Sequence, residues 1–313
     1  MEDIRIYNFD FELLAAENKF TYVNWTLKFN APGSFEARFP LTSKLVEICL
    51  ENDYLIAVQG NKQAIITGKQ ANDVLVLFGR EPTWILTKRV TPKFSKRTGT
   101  PEKLCFDIVT EAFSDVDNFT VKRYENNFES IDFWRNVYNP TEKVVSECLD
   151  RVGAGHRVYL DIKNKKWIYE MYMGNENNPL IISSPNKNAY NDAYTEDLQD
   201  YVNGGWYESY SIGDGGESEW KCIESPKKGI YKWIGVLGGN SESEARSSLD
   251  SKKWEKEIYL DTNGIEYGTD FNLGDTVRVQ VCFGNFKKTL SKKIKSVEII
   301  TENGITSQQP MFY

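Results

Sequence analysis

Residues 25–39, WTLKFNAPGSFEARF, carry the pattern that decides the fold. Apolar residues occupy alternate positions on both sides of a short polar segment: Trp25, Leu27 and Phe29, then Phe35, Ala37 and Phe39. Asn30, Pro32 and Gly33 provide turn residues between the two halves. Because successive side chains of a strand point to opposite faces, this alternation predicts a half-buried β-hairpin.

The residues after this hairpin predict one short helix and three strands. The stretch 42–51 begins with Thr and Ser as candidate N-caps and continues with apolar residues at amphipathic helical spacing. Three short apolar runs follow, each bounded by turn residues: YLIAV at 54–58, AIIT at 64–67 and VLVLF at 74–78. Such runs are typical of strands in a compact barrel or sandwich.

Two helices are predicted in the middle of the chain. Thr100 is an N-cap with Pro101 at the first helical position, and Asn139 and Pro140 repeat that arrangement for the second helix. The second helix is expected to stop at Gly153. Between 88 and 103, six basic residues with proline and glycine predict a boundary-like loop.

Alternation returns in the second half of the sequence. It predicts a hairpin over 156–173 and strands at 254–260 and 277–283. Near the end, the apolar residues change from even to odd positions, which predicts a β-bulge around Lys295 and Ser296. The glycines between 204 and 216 lack the context of a nucleotide loop and predict a mobile loop.

Two segments of the sequence resemble each other. Each has a leucine, a polar turn that ends in aspartate, and a strand containing Val-Gln, and each follows an aromatic-rich hairpin. The segments are Leu50, Asn52, Asp53 and 55–59, and Leu273, Gly274, Asp275 and 277–280. Duplication and chance both remain open as explanations. We predict an α+β, mostly β chain with two small related β-barrel domains, 1–95 and 229–313, that flank a mixed α/β middle region, 96–228.

Composition limits the function classes that the chain can belong to. The 313 residues are 40% hydrophobic and 27% charged, which excludes a disordered chain or a coiled-coil rod. A net charge of −7 disfavours sequence-specific nucleic-acid binding. The charge is uneven, because residues 192–224 contain nine acidic residues and one lysine, whereas 88–103 and the lysines of 287–295 are basic. We predict that these opposite patches meet across subunit or partner boundaries.

No cofactor, metal or catalytic residue is predicted. His156 is the single histidine, which excludes HExxH and three-histidine zinc sites. It could be a general base beside a serine or cysteine, but a half-buried strand residue is the favoured interpretation.

The five cysteines show no CxxC spacing and predict reduced thiols. No export signal or membrane span is recognisable, so synthesis in a host cytoplasm is expected.

Several stretches together resemble the tail-hub proteins of long-tailed bacteriophages. They are distributed over nearly the whole chain and consist of alternation with Asn, Gly and Asp at turns. The stretches are IRIYNFDFELL (4–14), FNAPGSFEARFPL (29–41), LVEICLENDYLIAV (45–58), VVSECLDRVGAGHRVYLDIKNKKWIYEMY (144–172), AYTEDLQDYVNG (193–204) and DFNLGDTVRVQ (270–280).

The resemblance implies a structural role at the virion tail tip or baseplate. Such hubs are trimers with two related β-barrels per subunit, so three subunits offer six similar units to a six-fold tube. Implied partners are a distal-tail or tail-tube protein ring and a spike, fibre or tape-measure protein. The positions implied to form the ring interface or the barrel turns are Trp25, Phe35, Phe39, Asn52, Asp53, Trp254, Gly274 and Asp275.

Two alternatives of other classes stay open at this point. A tail-associated peptidoglycan hydrolase would use carboxylates, or His156 with a serine or cysteine. A carbohydrate-binding module would use exposed members of the eight tryptophans.

Overall fold

The computed structural model describes residues 2–90, 95–135, 139–210 and 218–312. The first strands are β1 (Ile4–Asn8), β2 (Leu13–Glu17), β3 (Tyr22–Lys28), β4 (Ser34–Pro40), β5 (Leu55–Gln59), β6 (Lys62–Ala71), β7 (Val74–Arg80), β8 (Ser95–Gly99), β9 (Phe119–Val121) and β10 (Ile131–Arg135). They are followed by β11 (Gly155–Asp161), β12 (Lys166–Tyr172), β13 (Ile181–Ser183), β14 (Ala189–Asp197), β15 (Gly204–Tyr210), β16 (Ser218–Ile223), β17 (Ile234–Val236), β18 (Glu255–Thr262), β19 (Thr276–Phe283), β20 (Phe286–Glu302) and β21 (Ile305–Phe312). The α+β, mostly β class is confirmed.

The α-helices are α1 (Leu45–Glu51), α2 (Pro101–Ala112), α3 (Thr141–Asp150) and α4 (Glu242–Ser251). Short 3₁₀ helices span Pro82–Lys88, Ser184–Asn186 and Gly229–Tyr231. Thr100 is the N-cap of α2, as predicted. The N-cap of α3 is Pro140 instead of Asn139, because Pro140 keeps an extended ψ of 140°. Helix α1 begins at Leu45, whose N–H donates to Ser43 Oγ.

One sheet contains strands from both ends of the chain. Its order is β13-β19-β20-β3-β4-β7-β6-β5-β1-β2, and β21 also pairs with β20. The predicted hairpin is β3–β4, with Trp25 opposite Phe35. Residues 296–302 of β20 pair antiparallel with β3, so the chain's last strands extend its first sheet.

The described strands of this sheet form an open path, so closure into two barrels is not confirmed. The pairing of β20 with β3 joins strands from segments 1–95 and 229–313 in one sheet. The two related barrels therefore stay a prediction.

The predicted bulge in β20 is confirmed. Ile294 pairs with Phe312 and Ser296 with Met311, so the register against β21 skips Lys295. The Lys295 carbonyl instead accepts from the Phe29 N–H at 2.8 Å. The extra residue explains why the apolar positions change from even to odd along this strand.

The chain divides into two compact units. Unit 1 comprises Met1–Tyr190, Thr262–Gln280 and Thr289–Tyr313, and unit 2 comprises Asn191–Asp261 and Val281–Lys288. A large core in unit 1 lies around α2, α3, β11 and β12. One buried cluster of unit 2 comprises Tyr207, Ile223, Leu237 and Ala245. The limits of these units differ from the predicted boundaries, and the three-segment division stays a prediction.

Two predicted loops contain regular structure. Gly204–Tyr210 is strand β15, so the mobile-loop prediction is wrong there, and residues 211–217 lie outside the described part. A Cβ on Gly205 would lie 2.5 Å from the Leu237 side chain, so glycine permits the close packing of this strand. In the basic stretch 88–103, β8 covers Ser95–Gly99, and residues 91–94 lie outside the described part.

Candidate functional site

The predicted ring-forming hairpin presents its aromatic residues to the core. Trp25 is 1% exposed, and its Nε1 donates to Gln59 Oε1 at 2.8 Å. The Trp25 and Phe35 ring centroids lie 4.3 Å apart, and Phe39 is fully buried. These three side chains pack in the core beneath the sheet. Their role in a ring interface stays a prediction.

The opposite face of the same hairpin is polar. Asn24 donates from Nδ2 to Glu298 Oε1 at 2.8 Å, and the Arg38 guanidinium lies 4.7 Å above the Tyr22 ring while it pairs with Glu36. Both edges of the hairpin are already paired, with β20 on one side and β7 on the other. A partner would therefore reach this hairpin through its polar face.

The two predicted turn positions differ in structure. Asp275 is 4% exposed and accepts three hydrogen bonds, from the Asn175 N–H at 2.7 Å and from the Asn272 N–H and Asn178 Nδ2 at 2.9 Å. The Asp53 side chain is 91% exposed and lies 3.8 Å from Lys69 Nζ. The sequence similarity between the two turns is therefore not matched by equivalent contacts.

The residues next to these aspartates also differ. Gly274 has a φ of +85°, and a Cβ there would lie 2.4 Å from the Phe29 ring. Phe29 belongs to the turn of the β3–β4 hairpin, so the structure brings this predicted turn together with the predicted hairpin. Asn52 Nδ2 instead donates to the Ile48 carbonyl at 2.9 Å and ends α1.

Trp254 belongs to a group of exposed tryptophans in unit 2. The Lys256 ammonium lies 4.3 Å above its ring. Four tryptophans of this unit are 40% to 53% exposed: Trp206, Trp220, Trp233 and Trp254. These four rings therefore do not lie in a closed core of the chain.

His156 is buried beside Ser146. Its Nε2 lies 3.1 Å from Ser146 Oγ, and Glu142 Oε1 lies 3.0 Å from the same hydroxyl. The carboxylate therefore contacts the serine and not the imidazole, and His156 Nδ1 has no hydrogen-bond partner among the described residues. Burial lowers the pKa of His156 to about 3. This arrangement excludes substrate from the ring and favours the structural interpretation of His156.

Sequence reasoning missed a cleft in unit 1 that contains five charged side chains: Lys62, Glu81, Lys122, Arg157 and Glu170. The cleft has a volume of about 520 Å³ and is lined by Leu27, Asn61, Lys62, Gln63, Glu81, Pro82, Lys122, Arg157, Val158, Tyr159, Glu170 and Tyr267. Gln63 fixes its floor, because its side chain bonds the Leu160 backbone at 2.7 Å and 2.8 Å. The lining residues come from distant parts of the sequence, so no local motif marks the cleft.

Glu170 organises two cations of the cleft. Its Oε1 accepts from Arg157 Nε at 2.8 Å and Nη2 at 2.5 Å, and its Oε2 accepts from Lys122 Nζ at 2.9 Å. Lys122 Nζ also contacts the Tyr159 hydroxyl. Burial raises the pKa of Glu81 to about 7, although its Oε2 accepts from the Gly33 and Lys28 N–H groups.

Among the residues described, no three His, Cys, Asp or Glu side chains are placed to hold a metal ion. The helices of the described ranges include none with the length and apolar character needed to cross a bilayer. All five cysteines are free thiols.

The fold of the whole chain is similar to that of solved phage tail proteins. The tail protein from Neisseria meningitidis MC58 has a TM-score of 0.64 at 10% identity, over 99% of this chain and 96% of that one. Prophage tail protein gp18 from Listeria monocytogenes EGD-e has a TM-score of 0.63 at 12% identity, over 99% and 94%. The prophage MuSo2 43 kDa tail protein from Shewanella oneidensis has a TM-score of 0.58 at 10% identity, over 100% and 98%.

No family model and no curated protein sequence matches the chain. The resemblance to phage tail hubs that the sequence indicated is confirmed at the level of the fold.

Proposed function

We propose that the chain is a structural hub subunit of a phage or phage-like tail, located at the tail tip or baseplate. The observation that carries the proposal is the extent of the structural similarity. It spans 99% to 100% of this chain and 94% to 98% of three tail proteins, so the whole fold, and not one domain of it, supports the proposal.

In this proposal three copies form a ring, and each copy contributes two related β-barrels. The ring then offers six similar units to a tail-tube or distal-tail ring, which reconciles three-fold with six-fold symmetry. The opposite side of the ring receives a spike, fibre or tape-measure protein. The sequence similarity between 50–59 and 273–280 supports the duplication, whereas the different contacts of Asp53 and Asp275 count against close equivalence.

The proposed role is not enzymatic. A hydrolase that used His156 would need access to its ring, and burial of the ring beside Ser146 denies that access. No observation on the described residues favours peptidoglycan hydrolysis over a structural role.

Light scattering on the purified chain, followed by negative-stain imaging, tests the hub proposal. We expect a particle of three times the chain mass of 36.0 kDa, with six lobes, alone or after addition of the partner ring protein. A particle of one chain mass under both conditions would contradict the proposal. Assembly that weakens with added salt would support contacts between the acidic stretch 192–224 and the basic patches.

A second candidate function is carbohydrate binding by unit 2. The observation that favours it is the exposure of Trp206, Trp220, Trp233 and Trp254, because an exposed tryptophan offers a large apolar ring and a polar N–H to a ligand. Trp206 and Trp220 lie on one sheet face, opposite Cys222 and Glu208 respectively on the neighbouring strands. We expect a host glycan to quench the tryptophan fluorescence, and we expect this quenching to be lost in Trp206→Ala and Trp220→Ala. If no glycan of a panel quenches the fluorescence, this candidate is excluded.

A further inference from the structure

We propose that the open edge of β9, together with the groove between β9 and α2, binds an extended polypeptide segment of a partner protein by strand addition. The segment pairs with the backbone of β9 and places an apolar side chain in the groove. All the residues concerned belong to unit 1, so the inference does not depend on the proposed ring.

Strand β9 lies at an edge of its sheet and has backbone groups without a partner. The order of that sheet is β11-β12-β9, and β9 pairs parallel with β12. The Lys122 N–H donates to the Tyr169 carbonyl at 2.9 Å, so the even-numbered residues of this segment face β12 and the odd-numbered residues face away. Among the described residues, none forms a hydrogen bond with the Phe119 carbonyl or with the N–H and carbonyl of Val121.

The opposite edge of the same sheet is closed by side chains. The Val158 N–H donates to Thr83 Oγ1 at 3.0 Å. The Gln63 side chain bonds both the N–H and the carbonyl of Leu160, at 2.7 Å and 2.8 Å. Caps of this kind prevent another strand from pairing with β11. Within the described part of the chain the β9 edge has no such caps, so of the two edges it is the one that can accept a strand.

A groove runs beside the open edge, between β9 and α2. Its first part has a volume of about 360 Å³ and its second part a volume of about 330 Å³, and Phe106 lines both. The Phe113 and Phe119 rings stack with their centroids 4.0 Å apart, so one wall of the first part is closely packed. In the second part, the Arg123 guanidinium lies 5.1 Å above the Phe106 ring. The groove is therefore apolar in its first part and more polar in its second.

The side chains of an added strand reach this groove. Phe119 and Val121 pack against the core that also contains α2, so they point to the α2 face of the sheet. A strand beside β9 continues the pleat, and every second side chain of it points to the same face. The volume of the first part is at the lower end of the range of about 300–1,000 Å³ for ligand pockets, which suits one large side chain of a peptide.

The length of the edge favours a short segment over a second folded copy. Strand β9 has three residues and offers three backbone groups. A stable interface between two folded chains buries about 800 Å² on each partner, and an edge of this length supplies only a small part of that area. A short extended segment is held by a few backbone hydrogen bonds and by one or two side chains in pockets.

Fluorescence anisotropy of a labelled, end-blocked Ser-Thr-Phe-Thr-Val-Thr-Ser peptide on the full chain tests the inference. Alternation places Phe and Val on one face of the extended peptide. We expect saturable binding to the wild type that weakens about tenfold in Thr110→Arg, because Thr110 is exposed in the groove and arginine would fill it. Thr195→Arg, at an exposed threonine of unit 2, is the matched control and should leave binding unchanged.

Modified peptides keep the result independent of protein folding. N-methylation of the Phe and Val amides removes the N–H groups from one edge of the peptide, and N-methylation of the Thr amides removes them from the other edge. Only one of these edges can face β9, so one methylated peptide should bind about tenfold more weakly than the other. The scrambled peptide Ser-Phe-Val-Thr-Thr-Thr-Ser has Phe and Val on opposite faces and should bind more weakly than the original.

The same measurements can overturn the proposal. It is wrong if the original peptide shows no saturable binding, if both methylations weaken binding equally, or if Thr195→Arg causes the same loss as Thr110→Arg. It is also wrong if Thr110→Arg leaves peptide binding intact and instead changes the particle mass in light scattering, because the groove then belongs to a contact between copies of the chain.

Discussion

Acidification should destabilise the folded chain through His156. The ordinary histidine pKa is 6.5, whereas burial lowers the pKa of His156 to about 3 in the folded state. Below pH 6.5 the unfolded chain therefore binds a proton that the folded chain does not bind. The stability contributed by neutral His156 is fully present above pH 6.5 and is lost as the pH falls toward 3.

The loss of stability depends on how far the pH of the measurement lies below 6.5. Each pH unit contributes about 1.4 kcal/mol, so at pH 5 the free energy of unfolding should be lower by about 2 kcal/mol than at neutral pH. His156→Gln is the reference, because glutamine can keep a hydrogen bond to Ser146 Oγ but does not titrate. The loss should appear in the wild type and be absent in His156→Gln.

Two measurements check this prediction. Urea unfolding of both proteins at pH 7.5 and pH 5.0 gives the difference in their free energies of unfolding. Because the chain has one histidine, its ring Hε1 gives one NMR signal, which should not shift between pH 8 and pH 5. A midpoint near pH 6.5, or an equal loss of stability in both proteins, would refute the reasoning.

Three further predictions concern the turn, the hairpin and the cleft. Gly274→Ala should lower the free energy of unfolding by about 3 kcal/mol in thermal melts, because Gly274 has a positive φ and the new Cβ would clash with the Phe29 ring. Gly264→Ala is the control: Gly264 also has a positive φ but lies in open space, so the change should cost about 1 kcal/mol. Trp25→Phe should cost about 1–3 kcal/mol in urea unfolding, because it leaves Gln59 Oε1 without its donor. Since the pKa of Glu81 is raised, the stability of the wild type relative to Glu81→Gln should increase as the pH falls from about 7 to 4.5; an unchanged difference would contradict this.

Local patterns of the sequence predicted the elements that depend on neighbouring residues. The alternation of 25–39 predicted the β3–β4 hairpin, and the shift of the apolar positions predicted the bulge at Lys295. Both follow from the two-residue period of a strand. The Asn303-Gly304 dipeptide was a further available signal, because both residues have positive φ in the two-residue turn that joins β20 to β21.

Contacts between distant residues could not be predicted in this way. The tryptophans of unit 2 have strand-like surroundings in the sequence, and only the folded chain shows that Trp206, Trp220, Trp233 and Trp254 remain partly exposed. The cleft at Lys62 depends on Arg157 and Glu170, which reach it only after β11 and β12 pack against the end of β6.

By itself the sequence determined the mostly β class, the β3–β4 and β11–β12 hairpins, the start of α2 and the bulge in β20, because each depends on the spacing of adjacent side chains. The tertiary structure alone decided that β20 pairs with β3 and that the sheet remains open among the described strands. Strand edges present the same backbone groups whatever their sequence, so the choice of partner depends on which edges the rest of the packed chain leaves available.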